Sequence, residues 1–276
     1  MTDSFQRVRQ LVDASEQIII GAGAGLSAAA GLQYDGPAFQ SAFADFIERY
    51  AITDLYSSSF FPFATEEEYW ACWARHIDYA RFQPNALPLY QQLFDLVKDK
   101  DYFVLTTNVD GQFRKAGFAD DRLFEVQGDY AFLQCAKACH ETLYYNYDLV
   151  QEMVHATKDC RIPTQLVPRC PRCGGKMAIH VRTDAYFIED KTWRHQASRA
   201  TERLNSEKKT LLLELGVGFN TPTIIRFPFE QLVSQRSNFV LARINKEQAR
   251  TWFPMDEQKM RKHAILIQDD IAKLFL

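Results

Sequence analysis

The sequence predicts an α/β fold: a doubly wound parallel sheet carrying a smaller inserted zinc-binding and helical module. Three observations predict it. Apolar, strand-like runs at 18–20, 102–105, 123–126, 210–215, 238–244 and 264–267 are separated by segments of helical periodicity, and that alternation implies parallel strands joined by helical crossovers. Polar or glycine clusters stand at the ends of the runs, at 21–25, 108–110, 127–128, 216–220 and 245. Ligands of open α/β sheets lie beyond the carboxyl ends of the strands, so these clusters argue for one shared site. Residues 129–185 then change character and hold most of the cysteines.

Residues 4–14 read as an amphipathic helix with Phe5, Val8, Leu11 and Val12 on one face. Ile18-Ile19-Ile20 forms a strand, breaks into Gly21-Ala22-Gly23-Ala24-Gly25 and becomes helix-friendly at Ser27-Ala28-Ala29-Ala30. A buried strand feeding a glycine-rich turn and a helix N-terminus cradles phosphate, because the backbone can come close and its N–H groups face an anion. The loop departs from the G-x-G-x-x-G dinucleotide fingerprint at Leu26, and no acidic residue closes a second strand about 20 residues on. That disfavours an ordinary hydride-transfer dehydrogenase. Phe39, Phe43, Phe46 and Ile47 recur at helical spacing, and residues 57–65 are a Ser/Phe/Pro-rich break. From Glu66 a helix carries Tyr69, Trp73, Ile77 and Ala80 as core or pocket wall. Pro84 and Pro88 bracket the start of another, with Leu89, Leu93, Leu96 and Val97 on its face. The later strands end in Thr106-Thr107-Asn108-Val109-Asp110, in Gln127-Gly128, in Gly216-Val217-Gly218-Phe219-Asn220, at Asn245 and at Asp269-Asp270, before a C-terminal helix.

At 276 residues, 47% of them apolar, the chain suits one large domain with a sizeable core and an insertion. A net charge of −3 gives no electrostatic case for nucleic acid. No run approaches the length of a membrane span, and residues 1–17 are mixed and polar, unlike an export signal. A cytoplasmic location is expected, where six cysteines serve as metal ligands sooner than as disulfides. Cys135 and Cys139 make C-x3-C; Cys170 and Cys173 make C-x2-C within the knuckle-like Cys-Pro-Arg-Cys-Gly-Gly. Four thiolates form a closed tetrahedral zinc site, structural because no position is left for water. Cys160 and His140 are near enough in sequence to substitute as ligands, while Cys72 reads as a buried apolar residue. The metal replaces the core that a module of about 50 residues cannot build. His76, His155, His180, His195 and His263 have no motif context, and Arg182, Arg194 and Arg199 read as a solvated basic face that an acidic carrier protein could meet.

These motifs resemble the sirtuin family. Residues 23–31, GAGLSAAAG, resemble its GAG-x-S-x-x-x-G cofactor loop; Thr106-Thr107-Asn108-Val109-Asp110 resembles its TQN-x-D; Gly216 to Asn220 resembles its G-T-S-x segment, and Asn245 its late strand-end asparagine. The resemblance covers nearly the whole chain. It implies a Rossmann-type NAD domain (residues 1–34, 89–128 and 186–276), a helical insertion (35–88) and a zinc-binding insertion (129–185), with the active site in the cleft between them. It implies cofactor contacts at Gly23, Ala24, Gly25 and Ser27 by the diphosphate, at Gly218, Phe219, Asn220 and Asn245 near the adenosine half, and at Gly216, with Asp270 and Ile271 at adenine or, equally, capping the C-terminal helix.

The departures carry the functional expectation. Where sirtuin deacylases have the His-Gly whose histidine is the general base, this chain has Gln127-Gly128. Glutamine does not ionise near neutral pH and cannot take a proton. The family's Pro-Asp-Phe-Arg is replaced by Leu32-Gln33-Tyr34-Asp35-Gly36, and Gly-Thr-Ser by Gly216-Val217-Gly218. Together these resemble the macrodomain-linked class M branch, which is associated with ADP-ribosylation of a lipoate-carrying glycine-cleavage H-like protein. The expected function is thus NAD-dependent protein ADP-ribosyl transfer, with Asn108 and Asp110 fixing carboxamide and ribose and Gln127 holding the ribose hydroxyls as the catalytic set. The implied partners are a lipoylated carrier protein and a macrodomain protein that removes ADP-ribose. Two alternatives stand beside it: a deacylase or delipoylase working without the histidine, and a non-catalytic module that binds NAD or ADP-ribose.

Overall fold

The computed structural model describes residues 3–252 and 262–276. Its strands, in chain order, are β1 (Gln17–Ala22), β2 (Tyr102–Thr106), β3 (Leu123–Glu125), β4 (Gly128–Cys135), β5 (Tyr144–Tyr145), β6 (Met177–Val181), β7 (Thr210–Leu215), β8 (Phe239–Ile244) and β9 (Ala264–Ile267). The main sheet has the order β3-β2-β1-β7-β8-β9, with every neighbouring pair parallel. This is the doubly wound, Rossmann-type α/β arrangement, and the chain reverses its direction of travel across the sheet between β1 and β7.

Register explains why the strand-end clusters share a rim. Ala22 pairs with Thr106 on one side and Leu215 on the other, Leu215 pairs with Ile244, and Ile244 with Ile267. Five strands therefore end level, and their loops leave in one row. All residues of β1, β2 and β7 are buried, as parallel strands covered on both faces should be. Ile18, Ile20 and Ala22 join one apolar cluster with the helices Asp3–Ala14 and Pro88–Val97 and the 3-10 turn Ile271–Phe275. Ile19 faces the opposite cluster, with the helices Lys191–Leu204 and Arg226–Gln235.

The smaller lobe contains the antiparallel sheet β5-β4-β6 and the helices of residues 36–77. Phe39, Phe43, Phe46, Trp70, Trp73 and Ile77 pack in one core with Leu133, Val150, Met153 and Ile179. The two insertions of the sequence reading thus share a single apolar cluster. The helix Glu66–Ile77 starts where its chemistry dictates: Glu68 N–H donates to Thr65 Oγ1 (3.3 Å) and Thr65 N–H to Glu68 Oε2 (3.2 Å), a reciprocal capping box. It ends in a π turn, Asp78–Phe82. The break expected from residue 57 begins slightly later, because Asp54 accepts from Ser57 N–H (2.8 Å) and caps a short helix, Leu55–Ser58. Among the described residues no helix is long and apolar enough to cross a membrane.

Candidate active site

The site begins where the loops after β1 and β7 cross at the switch point. Gly216 has φ +63°, and a Cβ there would lie 2.3 Å from Leu26 N and 2.4 Å from Gly25 C. A side chain on Gly25 would meet Gly216 O at 2.7 Å. Only glycines allow this backbone-on-backbone approach. The crossing is hydrogen bonded: Gly23 N–H donates to Leu215 O (3.1 Å), Gly25 N–H to Gly216 O (3.0 Å) and Leu26 N–H to Gly23 O (2.9 Å). Gly23 and Gly25 therefore serve loop-to-loop contact in addition to any approach by a phosphate, and two donors of the first helical turn are already engaged. Gly218 is exposed, and a Cβ there would meet nothing within 4 Å.

Behind the crossing lies a buried polar network that unites three of the expected site residues. Ser27 Oγ donates to Asp110 Oδ2 (2.5 Å). Asn108 Nδ2 donates to Gly23 O (3.0 Å), to Ser27 Oγ (3.2 Å) and to Tyr90 OH (3.1 Å). Because the Ser27 proton goes to the carboxylate, the 2.7 Å contact between Tyr90 OH and Ser27 Oγ has the phenol as donor. Asp110 Oδ1 accepts from Gln112 N–H (3.0 Å). Local chemistry aims Asn108: its N–H donates to Thr106 Oγ1 (3.0 Å), which itself donates to Ala22 O (3.1 Å) across the β1–β2 ladder. Burial pushes the Asp110 carboxyl up, opposed by the bonds from Ser27 and Gln112. Burial, and then the Asp110 charge, hold the phenols of Tyr34 and Tyr90 well above their ordinary value, so both stay protonated donors.

Sequence reasoning missed Tyr90 and Tyr34. The available signal was Tyr90's position among Leu89, Leu93 and Val97 on the buried face of its helix, where a hydroxyl must find a partner.

Gln127 stands half-buried just past β3. Its carbonyl accepts from Arg182 N–H (3.0 Å), and among the described residues no hydrogen bond occupies its side-chain amide. It is not bonded to Asn108 or Asp110. The strand ends meet through backbone instead: Val126 N–H donates to Thr106 O and Tyr130 N–H to Val109 O, both 3.0 Å. Around Gln127 the ionisable groups pair closely. Arg81 binds Asp129 through Nε–Oδ1 (2.7 Å) and Nη2–Oδ2 (3.0 Å). Arg114 binds Glu125 through Nη2–Oε2 (2.9 Å). Burial and the Asp129 carboxylate push Glu125 up to about 7.

On the far side of the rim the expected adenosine-side residues have structural duties. Asn245 Nδ2 donates to Val217 O (3.0 Å), while its Oδ1 accepts from Glu247 N–H (3.0 Å) and Gln248 N–H (2.9 Å), so its amide knits two loops together. The Phe219 ring lies 5.6 Å from that of Trp252 and 4.2 Å from the Arg226 guanidinium, and Asn220 is exposed beside it. Arg226 Nη1 donates to Val217 O (2.8 Å) and Nη2 to Arg250 O (2.7 Å). Arg243 bridges Glu214 (2.7 Å) and Glu230 (2.7 Å), with all three side chains fully buried. These charges fasten both loops from beneath. Asp270 caps the C-terminal turn through Ala272 N–H (2.9 Å), and Ile271 is buried in the sheet core.

The four expected thiols converge away from this rim. Cys135, Cys139, Cys170 and Cys173 have all their sulfurs within 4.8 Å of one another. The Cys135–Cys173 and Cys139–Cys170 separations are 3.8 and 3.7 Å. A tetrahedron of Zn–S bonds of about 2.3 Å has edges of about 3.8 Å, so the thiols fit zinc. Cys170 N–H donates to Gly175 O and Gly174 N–H to Cys170 O, both 2.8 Å, which forms the knuckle turn. His140 Nδ1 lies 3.0 Å from Cys139 Sγ and its Nε2 2.7 Å from Tyr144 OH, a neighbour of the cluster rather than a fifth member. Cys160 is buried in the lobe core, outside the cluster, and Cys72 is buried there too.

Comparison with known proteins accords with this arrangement. The chain is 33% identical over 276 residues to a protein ADP-ribosyltransferase of Staphylococcus aureus, covering 99% of this chain and 86% of that protein. It is 31% identical to a probable bifunctional ADP-ribose hydrolase/ADP-ribosyltransferase of Fusarium oxysporum f. sp. cubense, covering 98% of this chain but only 47% of that protein. Among solved structures, a Sir2 homologue in complex with NAD superposes with a TM-score of 0.63 at 15% identity, covering 100% of this chain and 91% of that one, a likeness of fold. The Sir2 family model matches residues 23–219. This match, with the 33% identical relative aligned over nearly the whole chain, establishes that the chain belongs to the Sir2 family.

Proposed function

We propose that this chain is an NAD-dependent protein ADP-ribosyltransferase that releases nicotinamide and modifies a lipoyl-carrying, glycine-cleavage H-like protein. One observation carries the reading: a rigid polar network of Ser27, Asn108, Asp110 and Tyr90 stands at the switch point, and the neighbouring strand end offers an uncharged amide, Gln127. The names of the Staphylococcus and Fusarium relatives support the same reaction class.

In this reading Gly23, Ala24, Gly25 and Ser27 take the diphosphate, Gly218, Phe219, Asn220 and Asn245 shape the adenosine side, Gly216 also contacts the cofactor, and Asp270 and Ile271 stand at adenine. Asn108 and Asp110 hold carboxamide and ribose. Cleavage of the nicotinamide–ribose bond leaves its electron pair on nicotinamide and builds positive charge on the sugar. A pre-set carboxylate such as Asp110, in a site of low dielectric, favours that charge without reorganising. The acceptor's nucleophilic atom then bonds to the sugar carbon and gives up its proton. Gln127 cannot receive it, so it orients the ribose hydroxyls while the partner protein supplies the proton acceptor. The four thiolates hold a structural zinc that ties the lobe together. A cytoplasmic setting, and a macrodomain protein that reverses the modification, complete the proposal.

The test is intact-mass analysis of the carrier protein, with and without lipoate, after incubation with NAD. The expected result is an added ADP-ribose with stoichiometric nicotinamide; no mass shift on either form refutes it. Removal of an acyl or lipoyl group instead would identify the deacylase alternative, and stoichiometric NAD binding without nicotinamide release the non-catalytic one.

A further inference from the structure

The best-supported feature is the seam where the π turn Asp78–Phe82 meets the ends of β2 and β3. We infer that Arg81 is a positioning residue: its guanidinium clamps the Gln127-Gly128-Asp129 segment against the Asn108 to Asp110 strand end, so that Gln127 and Asn108 are presented to one substrate together. This rests on the function proposed above and assigns a residue that the reading does not use.

Four observations carry the inference. The Arg81–Asp129 pair is two-pronged, at 2.7 and 3.0 Å, with side chains only 12% and 5% exposed. Asp129 follows Gln127 by two residues, and its Oδ1 also accepts from Ala131 N–H (2.8 Å), so the carboxylate is held from both sides. The guanidinium lies flat on the residue after Asp110: a Cβ on Gly111 would be 2.3 Å from Arg81 Cζ and 2.5 Å from Nε. Gly111, at φ +65°, leaves the space that the guanidinium fills. Finally, the segment that carries Arg81 is sewn to the loop after β2. Lys115 Nζ donates to Arg81 O and to Pro84 O (2.6 Å), while Gln112 accepts from Leu87 N–H (2.9 Å) and donates to Asn85 O (3.3 Å).

The ionisable groups facing this seam are Arg81, Arg114 and Lys115 on one side and Asp110, Glu125 and Asp129 on the other. Only a planar fork can satisfy both Asp129 oxygens and still stack on a glycine; a lysine retains the charge and loses the geometry. π turns are rare and recur at functional sites, and here the wider turn carries the arginine into the seam.

The experiment compares wild type with Arg81→Lys, Arg81→Gly and Asp129→Asn, following nicotinamide release, NAD dependence, zinc content and amide hydrogen exchange. Misplacing a positioned group by about 1 Å costs roughly 100-fold in rate. Arg81→Lys should therefore lower kcat by about that factor while KM for NAD moves only a few-fold and zinc is retained. Asp129→Asn should reproduce the split, and millimolar guanidinium should partly restore an Arg81→Gly chain. Amides at 107–116 and 127–131 should exchange faster in Arg81→Lys, with β7 and β8 unchanged. Wild-type kcat with unchanged exchange in those segments overturns the inference, as does a fall in activity that tracks only the folded fraction. If wild type releases no nicotinamide, the proposed function falls, and the exchange pattern alone decides the clamp.

Discussion

Replacing Tyr90 with Phe removes a single oxygen from the centre of the buried network, and the structure sets the size of the effect. Two hydrogen bonds disappear, the 2.7 Å contact with Ser27 Oγ and the 3.1 Å bond from Asn108 Nδ2. Neither partner is orphaned. Ser27 Oγ keeps Asp110 at 2.5 Å and Asn108 at 3.2 Å, and Asn108 Nδ2 keeps Gly23 O at 3.0 Å. The ring is fully buried against Phe113 and loses no apolar contact, so no desolvation penalty is added. Two bonds at about 1 kcal/mol each give a loss of about 2 kcal/mol. For a chain of 276 residues that lowers Tm by about 3–4 °C. Freed on one side, the Asn108 amide should turn more widely and lower kcat about tenfold, with a smaller change in NAD affinity. The Tyr90 phenol is held protonated well above its ordinary range, so the deficit should not vary between pH 6 and about 9. Calorimetry and nicotinamide release at saturating NAD measure both parts. A Tm within 1 °C of wild type with unchanged kcat, or outright failure to fold, would refute this account of the network.

Other perturbations test separate parts of the reasoning. Gln127→His should introduce an ionisable base at the end of β3; wild type should show no acyl-lysine turnover, and a measurable wild-type rate that rises about 100-fold in the variant would favour a deacylase. Cys170→Ser, or strong chelation, should remove one zinc per chain and loosen the smaller lobe, because Cys135 and Cys170 belong to its shared core. Metal analysis beside thermal melting would expose the error if no zinc is found or its loss leaves Tm alone. Glu125 gives a pH signature. Its folded pKa is raised to about 7 by burial and Asp129, whereas the unfolded carboxyl titrates near 4.5. Between those values the folded state binds the extra proton, so stability should fall as pH rises from about 4.5 to about 7 and level off above. Glu125→Gln should flatten that slope in denaturant titrations, and an unchanged slope would assign it to another group.

Some of this molecule is written in local chemistry and could be read without coordinates. β-branched runs alternating with helical periods imply a parallel sheet, and register then makes their ends level. The cysteine pairs announce a tetrahedral site because C-x2-C and C-x3-C already bring thiols within ligand distance. The uncharged Gln127 is visible as a letter. Other features depend on pairings across many residues, which periodicity does not encode. Tyr90 meets Ser27 across 63 residues and Arg81 meets Asp129 across 48. The helical and zinc segments look like separate insertions in sequence but bury one core, a pairing of distant segments that periodicity does not encode. That Asn245 Nδ2 holds Val217 O and Asp270 caps the last turn through Ala272 N–H could not be told from the letters, which fit ligand contact and, for Asp270, helix capping alike. Which partner satisfies a buried polar group depends on what packing brings beside it, and only the folded chain decides that.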